Sequence, residues 1–247
     1  IVPGLIDKDK IKDILLQLER FKRSNALFNS QSSAKWLNAA LECDAYGLLN
    51  NSFENFTDLI WAPRLSKSGR DILQSQEILK FLTEISGEEM FCMWQNMFFD
   101  KSTATVDHND SWFLDTNPPG SLIAVWIALE DIDGKGGEFH VFPGSHLNKD
   151  SSWGSLNYDE FLEWSKEAKS KYKIKPIHIK KGDVIFWHPF LIHGSSKQKE
   201  EGYSRKSLTA HYYPISYLKG GRGHNSINTN HYSRKVRQQK STTRTFG

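Results

Sequence analysis

The chain has 247 residues, enough for one large domain with a substantial core, and 38% of them are hydrophobic and 13% aromatic. This composition excludes a disordered chain, and the longest apolar run, Leu122 to Leu129, is far shorter than the roughly 20 residues of a membrane-spanning helix. The formal charge is +3, and the sequence does not start with the charged-then-apolar pattern of a signal peptide, so we expect a soluble cytoplasmic protein.

Residues 1–89 are predicted to be mostly helical. Segment 7–23 (DKDKIKDILLQLERFKR) places apolar residues at helical spacing and charges on the other face. Segments 33–43 (SAKWLNAALEC) and 70–87 (RDILQSQEILKFLTEISG) repeat this pattern. The last of these ends at Gly87, a residue type that commonly closes a helix.

From Met90 the pattern changes to short apolar or β-branched runs separated by turn residues. The runs are EMFCMWQNMFF, SLIAVWIALED, GEFHVF, PIHIKK, DVIFWH and KSLTAHYYP. One further helix is predicted over 157–173. Helices followed by many short strands favour a mainly-β domain, a sandwich or jelly roll over 90–214 with helices packed outside it.

The segment 215–247 is a basic extension. From Lys219 onward it has seven lysine and arginine residues and no acidic residue. Such a tail can bind phosphates or nucleic acid, but a solvated or partly ordered extension is the commoner outcome. Cys43 and Cys92 form no disulfide framework and lie in apolar-looking segments, so we expect buried free thiols.

The stretch VDHNDSW, residues 106–112, contains a possible metal-binding arm. Side chains alternate along a strand, so His108 and Asp110 share a face while Asp107 points to the other. WHPFLIHGSS adds His188 and His193, and Arg205 follows at the start of another strand-like run. Two imidazoles and one carboxylate on one face of an octahedral ion leave three positions open, which suits a non-haem Fe(II).

These motifs resemble those of the phytanoyl-CoA dioxygenase family of Fe(II)- and 2-oxoglutarate-dependent oxygenases. The resemblance covers roughly residues 90–214 and consists of H-N-D, IALEDIDGKGGEFHVFPGSH, GDVIFWHPFLIHGSS and SRKSLTAHYYP in the family's order. It implies a double-stranded β-helix, a cupin-like jelly roll that holds the metal between two sheets. It also implies that the whole chain, 1–247, is one dioxygenase domain.

Carried over residue by residue, the resemblance implies that His108, Asp110 and His193 are the iron ligands. It favours His193 over His188, because the family's second histidine ligand precedes Gly-Ser as in HGSS. Arg205 falls on the arginine that pairs with the far carboxylate of 2-oxoglutarate, a role that suits the guanidinium fork.

Four further residues are weaker candidates for the pocket around the cofactors. Ser195 falls on a family position that donates to a 2-oxoglutarate carboxylate in some members. Lys101, Gln95 and Trp126 are the others, and each of them fits a purely structural role equally well. The link from Lys101 to His108 is also short for the family.

The implied reaction consumes Fe(II)-bound 2-oxoglutarate and O2, releases succinate and CO2, and hydroxylates an unactivated C–H bond of a small molecule. Related halogenases replace the carboxylate at Asp110 with a small residue, so its presence favours hydroxylation, desaturation or cyclisation. One alternative is a nucleic-acid or protein oxygenase, but DNA demethylase relatives have a second arginine where this chain has His211. Another alternative is a non-redox, cupin-like metal-binding module. The sequence predicts neither the substrate nor the oligomeric state.

Overall fold

The computed structural model describes residues 1–24, 27–32, 35–148, 152–220 and 234–237. In these ranges it contains four α-helices: α1 (Lys8–Lys22), α2 (Pro63–Leu73), α3 (Gln76–Ser86) and α4 (Tyr158–Lys169). None of the helices in the described part of the chain has the length and apolar composition that a membrane crossing requires.

Helix α1 begins where the sequence predicts a helix. Asp7 caps it by accepting hydrogen bonds from the backbone amides of Asp9 (2.8 Å) and Lys10 (3.3 Å). The apolar side of α1 buries Ile14 and Leu18 against the core, as the helical spacing of these residues indicates.

The single helix predicted over 70–87 is wrong in one respect, because two helices cover this segment. Helix α2 ends at Leu73, and Ser75 starts α3 by accepting a hydrogen bond from the backbone amide of Ile78 at 3.4 Å. A serine hydroxyl satisfies the free amides of a new helix better than it serves inside one. The predicted end is confirmed, since Gly87 closes α3 with φ 75°.

The helix predicted over 33–43 is also wrong. Residues Lys35–Ala40 form strand β2, which pairs antiparallel with β1 (Leu27–Ser32). Leu27 lies opposite Ala40 and Ser32 opposite Lys35. Helical spacing over so short a segment does not distinguish a helix from a strand, and pairing with a neighbouring strand satisfies the same backbone groups.

The remaining strands build two facing sheets and a separate two-stranded sheet. They are β3 (Phe53–Glu54), β4 (Met90–Phe99), β5 (Asp115–Asn117), β6 (Ile123–Ala128), β7 (Phe139–Val141), β8 (Lys175–Ile177), β9 (Val184–Trp187), β10 (His193–Ser195), β11 (Ser207–Pro214), β12 (Leu218–Gly220) and β13 (Arg234–Arg237). The larger sheet has the order β13-β4-β11-β6-β9, and β3 also pairs with β4. The smaller sheet has the order β10-β7-β8, and β5 and β12 form the two-stranded sheet.

Apolar clusters cover both faces of the larger sheet, because side chains alternate along its strand β6 and every residue of this strand is buried. Val125 points outward and packs with residues of α1, α2 and α3 in one apolar cluster. Trp126 points inward and packs with Phe139 of the smaller sheet in a second cluster. The fold is therefore a mainly-β, double-stranded β-helix with flanking helices, as predicted.

Helix α4 interrupts the strands where the sequence predicts a helix. Asn157 and Glu160 form a reciprocal capping box, in which each side chain accepts a hydrogen bond from the other residue's backbone amide (3.0 and 2.8 Å). Phe161 and Ala168 are buried on its inner side. The helix ends at Lys169 rather than at residue 173.

Most of the basic extension, 215–247, lies outside the described residues. Strand β12 pairs with β5, and β13 pairs with β4 at the edge of the larger sheet. Both described strands of the tail are thus attached to the body of the domain. The prediction for the rest of the tail lies outside the part that the structure describes.

The two cysteines are free thiols, as expected, but only Cys92 is buried. Cys43 is exposed, and its expected burial is wrong. It lies in an isolated bridge with Leu49, beside the tight turn in which the carboxylate of Asp44 accepts hydrogen bonds from the following backbone. Such a turn sits at the surface because its backbone groups need water or short polar side chains.

One carboxyl group is fully buried in the larger sheet. Phe53 of β3 joins the outer apolar cluster, so the next residue, Glu54, points to the inner side. Glu54 has Ser52 and Gln95 as hydrogen-bond partners, while its Oε2 atom has none within the described ranges. Burial raises the pKa of Glu54 to about 8.

Candidate metal centre

His108 and Asp110 lie where the chain leaves the smaller sheet. His108 is bridged to His193 of β10 by two reciprocal backbone hydrogen bonds of 2.9 Å. Asn109 stays extended (φ −105°, ψ 149°), and its side chain caps a short 3-10 helix that begins at Asp110 by accepting from the amide of Trp112 at 3.1 Å. The segment therefore adjoins a strand, and the alternation expected around His108 extends as far as Asp110.

The side chains of His108, Asp110 and His193 converge on one point. The Nε2 atoms of both histidines lie 3.6 Å from Oδ1 of Asp110. One ligand atom from each residue lies within 4.8 Å of the others. In the described part of the chain, this is the one cluster of histidine, cysteine and carboxylate side chains with the spacing of a metal site.

Backbone carbonyls orient both imidazoles. Nδ1 of His108 lies 2.7 Å from the carbonyl oxygen of Val106, and Nδ1 of His193 lies 3.0 Å from that of Leu191. A carbonyl oxygen only accepts, so Nδ1 carries the proton in each ring and donates it. Each Nε2 keeps its lone pair directed at the shared point, which is the arrangement that metal-binding histidines need.

The two oxygens of Asp110 have different surroundings. Oδ1 faces the two imidazoles, whereas Oδ2 accepts a hydrogen bond from the indole Nε1 of Trp187 at 2.8 Å. Nε2 of His211 lies 3.7 Å from the same Oδ2 atom. The sequence analysis did not identify Trp187 as a site residue, and the H-x-D spacing gives no signal for a tryptophan so far along the chain.

The charges of these groups depend on one another. Burial alone would raise the pKa of Asp110, but the neighbouring His193 and His211 imidazoles outweigh it and hold that pKa well below its usual range. Burial lowers the pKa of His193 to about 4. Burial also opposes a charge on His108, yet contact with Asp110 raises its pKa. The two pKa values shift in opposite directions because the contact with Asp110 outweighs burial at His108, whereas burial, helped by repulsion from His108, outweighs the attraction of Asp110 at His193.

This donor set fits a divalent ion of intermediate softness. It offers two imidazole nitrogens and one ionised carboxylate; Asp110 and His193 are buried, and His108 is partly buried. Three protein ligands on one side of an octahedral ion leave three positions for other molecules. A structural zinc site would instead close four positions, commonly with cysteines, and no cysteine belongs to this cluster.

Asp107 points away from the metal cluster. Its Oδ1 lies 2.5 Å from Nε2 of His140 on β7, and its Oδ2 forms an ion pair with Lys169 of α4. A Cβ atom on Gly194, the residue after His193, would collide with Asp107 Oδ1. Asp107 therefore links α4 to β7 beside the site. The collision also explains why a glycine occupies position 194 of the HGSS motif.

Arg205 is buried on the same inner side, at 3% exposure, without a carboxylate partner among the described residues. Its Nε and Nη1 atoms have no hydrogen-bond partner in the described part of the chain, and its Cζ lies 5.8 Å from the ring centroid of Trp126. Burial lowers the pKa of Arg205 to about 10, so the group stays charged at neutral pH. A buried cation with free N–H groups is ready for a carboxylate ligand.

Three of the weaker candidates lie on the inner side of the barrel. Trp126 stacks on Phe139 with ring centroids 5.2 Å apart. Ser195 is buried, and its Oγ accepts a hydrogen bond from the amide of Thr105 at 2.9 Å. Gln95 lies opposite His211 in the pairing of β4 with β11.

Two other candidates have different surroundings. Nζ of Lys101 lies 2.6 Å from Asp44 and 3.1 Å from Asn50, which places it in a polar group away from the cluster. His188 is exposed on the wall of a cavity of about 480 Å³ that Phe186 also lines. Neither side chain is brought to the three converging ligands.

An aromatic group that the sequence analysis missed flanks His108. The ring of Phe113 meets the imidazole of His108 edge to face, with centroids 5.3 Å apart. Trp112 stacks on Phe161 of α4 with centroids 4.8 Å apart. Such rings give an apolar wall beside the metal cluster.

Comparison with known protein families gives one match over most of the chain. The family model described as phytanoyl-CoA dioxygenase (PhyH) matches residues 1–207. The peroxisomal phytanoyl-CoA dioxygenase of Bos taurus is 28% identical over 153 residues, which cover 55% of this chain and 43% of that protein. The chain therefore spans less than half of the length of this curated relative.

Solved structures give the same fold. The epimerase SnoN, in complex with Fe3+, alpha ketoglutarate and nogalamycin RO, superposes with a TM-score of 0.64 at 17% identity, covering 90% of this chain and 80% of that one. The alpha ketoglutarate dependent carbocyclase SnoK from nogalamycin biosynthesis has a TM-score of 0.63 at 15% identity, covering 90% and 81%. Both likenesses concern the fold.

Proposed function

The chain belongs to the phytanoyl-CoA dioxygenase family, and from that premise we propose that it is an Fe(II)- and 2-oxoglutarate-dependent oxygenase acting on a small molecule. The observation that carries the proposal is the convergence of His108, Asp110 and His193, with ligand atoms within 4.8 Å of one another. The donor set suits iron and leaves room on the ion for other ligands.

The proposed roles follow from the surroundings of each residue. The Nε2 atoms of His108 and His193 and the Oδ1 atom of Asp110 would hold the metal. Iron bound there would supply O2 activation coupled to the conversion of 2-oxoglutarate to succinate and CO2. The protein supplies orientation and a site shielded from water, because both imidazoles are fixed by carbonyls and Asp110 and His193 are buried.

Arg205 is the proposed anchor for the far carboxylate of 2-oxoglutarate. Its unpartnered Nε and Nη1 atoms leave N–H donors on both edges of the guanidinium free to bind a carboxylate. The face of Trp126 lies beside the guanidinium and limits its movement. Ser195 is a secondary candidate, since its hydroxyl hydrogen can still donate while its oxygen accepts from the amide of Thr105.

The substrate and the outcome are a finer proposal. We propose hydroxylation of an unactivated C–H bond, in keeping with the carboxylate at Asp110. The printed names of structural neighbours include an epimerase and a carbocyclase, so the same fold carries other outcomes. The aromatic wall of Trp112 and Phe113 beside His108 favours a substrate with an apolar part.

Anaerobic titration tests the metal centre first. Fe(II) and 2-oxoglutarate added together should give the weak visible charge-transfer band of the chelate, and an Asp110→Ala variant should lose it. A control variant, Asp107→Ala, should keep the band. Absence of the band in the wild-type protein, under conditions where a known oxygenase shows it, would count against the proposal.

Turnover assays then address the substrate. A metabolite screen for stimulated succinate release, followed by mass spectrometry of the products, should show a gain of one oxygen atom. Products that lose two hydrogens or invert a centre would replace hydroxylation by another outcome of the same oxidation. Stimulation by DNA or RNA alone would favour a nucleic-acid oxygenase, and metal binding without succinate release would favour a cupin-like binding module.

A further inference from the structure

We infer that Trp187 is a positioning residue whose indole N–H keeps Asp110 bound to the metal through a single oxygen. The inference rests on the proposed metal centre and adds a residue to it. The two oxygens of Asp110 have unequal surroundings, and the hydrogen bond on the second oxygen decides how the carboxylate can bind a metal.

The two oxygens of the Asp110 carboxylate face different groups. Oδ1 lies 3.6 Å from Nε2 of both His108 and His193, so it faces the point where a metal would be held. Oδ2 lies 2.8 Å from Nε1 of Trp187 and accepts its proton. A carboxylate oxygen engaged by a buried N–H donor is turned away from the ligands on the other side.

The indole is held firmly in this position. Trp187 is the last residue of β9, and its side chain is buried between the two sheets. Its ring lies 5.1 Å from that of His193 and 5.5 Å from that of Phe139, centroid to centroid. Rotation of the indole would therefore disturb a metal ligand and the packing between the sheets, so the N–H direction is fixed by the fold.

His211 does not replace this donor. Its Nε2 lies 3.7 Å from Oδ2 of Asp110, beyond hydrogen-bond distance, and neither ring nitrogen has a hydrogen-bond partner among the residues that the structure describes. Gln95 on the neighbouring strand lies opposite His211 and pairs with Glu54. Trp187 is thus the group that makes a hydrogen bond of normal length to this oxygen.

The consequence concerns the open positions of the ion. A carboxylate can bind a metal through one oxygen or through two. With one oxygen from Asp110 and two imidazoles, an octahedral ion keeps three positions, two for a chelating keto acid and one for O2. Two-oxygen binding would remove one of these positions. The N–H of Trp187 therefore protects the position on which co-substrate and O2 together depend.

A Trp187→Phe variant tests this inference, because it removes the N–H and keeps an aromatic ring. Co(II) serves as the probe, since its absorption spectrum reports coordination without turnover. We expect the affinity of the variant for Co(II) to fall by about 10- to 100-fold, the usual effect of losing a group that orients a metal ligand. The Co(II) absorption bands of the variant should also change in position or intensity.

Trp153→Phe is the matched control. Trp153 is another buried tryptophan, and its ring packs against Trp164 and Phe190. This variant should bind Co(II) with wild-type affinity and spectrum. Thermal unfolding of the metal-free proteins measures any general loss of stability in both variants.

The outcomes separate the inference from the proposed function. If the wild-type protein binds Co(II) and Trp187→Phe does so with the same affinity and spectrum, Trp187 has no positioning role. The same conclusion follows if Trp187→Phe and Trp153→Phe lose affinity in proportion to their loss of stability. If the wild-type protein binds neither Co(II) nor Fe(II), the proposed metal centre itself fails, and the inference fails with it.

Discussion

Replacing Glu54 with glutamine should stabilise the protein at alkaline pH and remove part of the pH dependence of its stability. Glu54 is fully buried, and its hydrogen bonds come from Ser52 and Gln95 rather than from a cation. Burial raises its pKa to about 8, from 4.5 for an unperturbed glutamate. Between these two values the folded chain keeps a proton on Glu54 that the unfolded chain has released.

The sign and size of the effect follow from this difference. The native state binds more protons than the unfolded state in this window, so the free energy of unfolding falls as the pH rises through it. The loss of stability caused by ionising Glu54 is absent at low pH and complete above about pH 8. The difference between the two pKa values corresponds to at most about 5 kcal/mol of lost stability. A glutamine amide has no charge to desolvate and can still accept from Ser52 through its oxygen.

The assay is urea unfolding followed by circular dichroism at about pH 5 and about pH 9, either side of most of the titration. Glu54→Gln and the wild-type protein should differ little at the lower pH, and the variant should be several kcal/mol more stable at the higher pH. Glu167→Gln, which changes an exposed glutamate of α4, is the control and should show no such gain. A stability difference between Glu54→Gln and wild type that is equal at both pH values would refute the reasoning.

Three further predictions test the site. Arg205→Lys keeps the charge but loses the fork, so the apparent affinity for 2-oxoglutarate should fall about tenfold or more, in line with a lost charged hydrogen bond of roughly 1.5 to 3 kcal/mol; unchanged 2-oxoglutarate saturation would place the anchor elsewhere. Asp110→Ala should lose most Fe(II) binding and product formation while Asp107→Ala keeps the metal, and equilibrium dialysis that gives the reverse order would contradict the assigned ligands. Gly194→Ala should destabilise the fold by roughly 1 to 3 kcal/mol in thermal unfolding, because the new Cβ meets Asp107 Oδ1 and lies 3.0 Å from the carbonyl oxygen of Thr105; wild-type stability would show that this contact relaxes freely.

The direction of His108 and Asp110 could be predicted because local backbone geometry decides it. His108 and Asp110 are two apart, and an extended Asn109 between them is enough to place both on one side. His193 joins them through backbone pairing opposite His108, a contact between distant segments. His193 could be predicted from the resemblance to the family, whose second histidine ligand precedes Gly-Ser as in HGSS.

Other features could not be predicted because they depend on contacts between distant segments. Trp187 meets Asp110 only when the two sheets face each other, and Lys101 finds Asp44 only once the turn after Cys43 is in place. The strand over Lys35–Ala40 is of the same kind, since pairing with its neighbour overrides a helical pattern. Local sequence patterns predict which way a side chain points, whereas the residues that it contacts depend on the tertiary fold.

The bridge between His108 and His193 sets the spacing of two proposed metal ligands through the main chain. Their amides and carbonyls are joined by two hydrogen bonds of 2.9 Å, so the distance between their α-carbons is that of a hydrogen-bonded strand pair, about 5.5 Å. Each imidazole also donates a hydrogen bond to a backbone carbonyl, so the distance between the two Nε2 atoms is fixed before a metal binds. Most of the entropy lost in ordering a metal-binding site is then lost during folding, and an arriving ion meets ligands that have already been brought together.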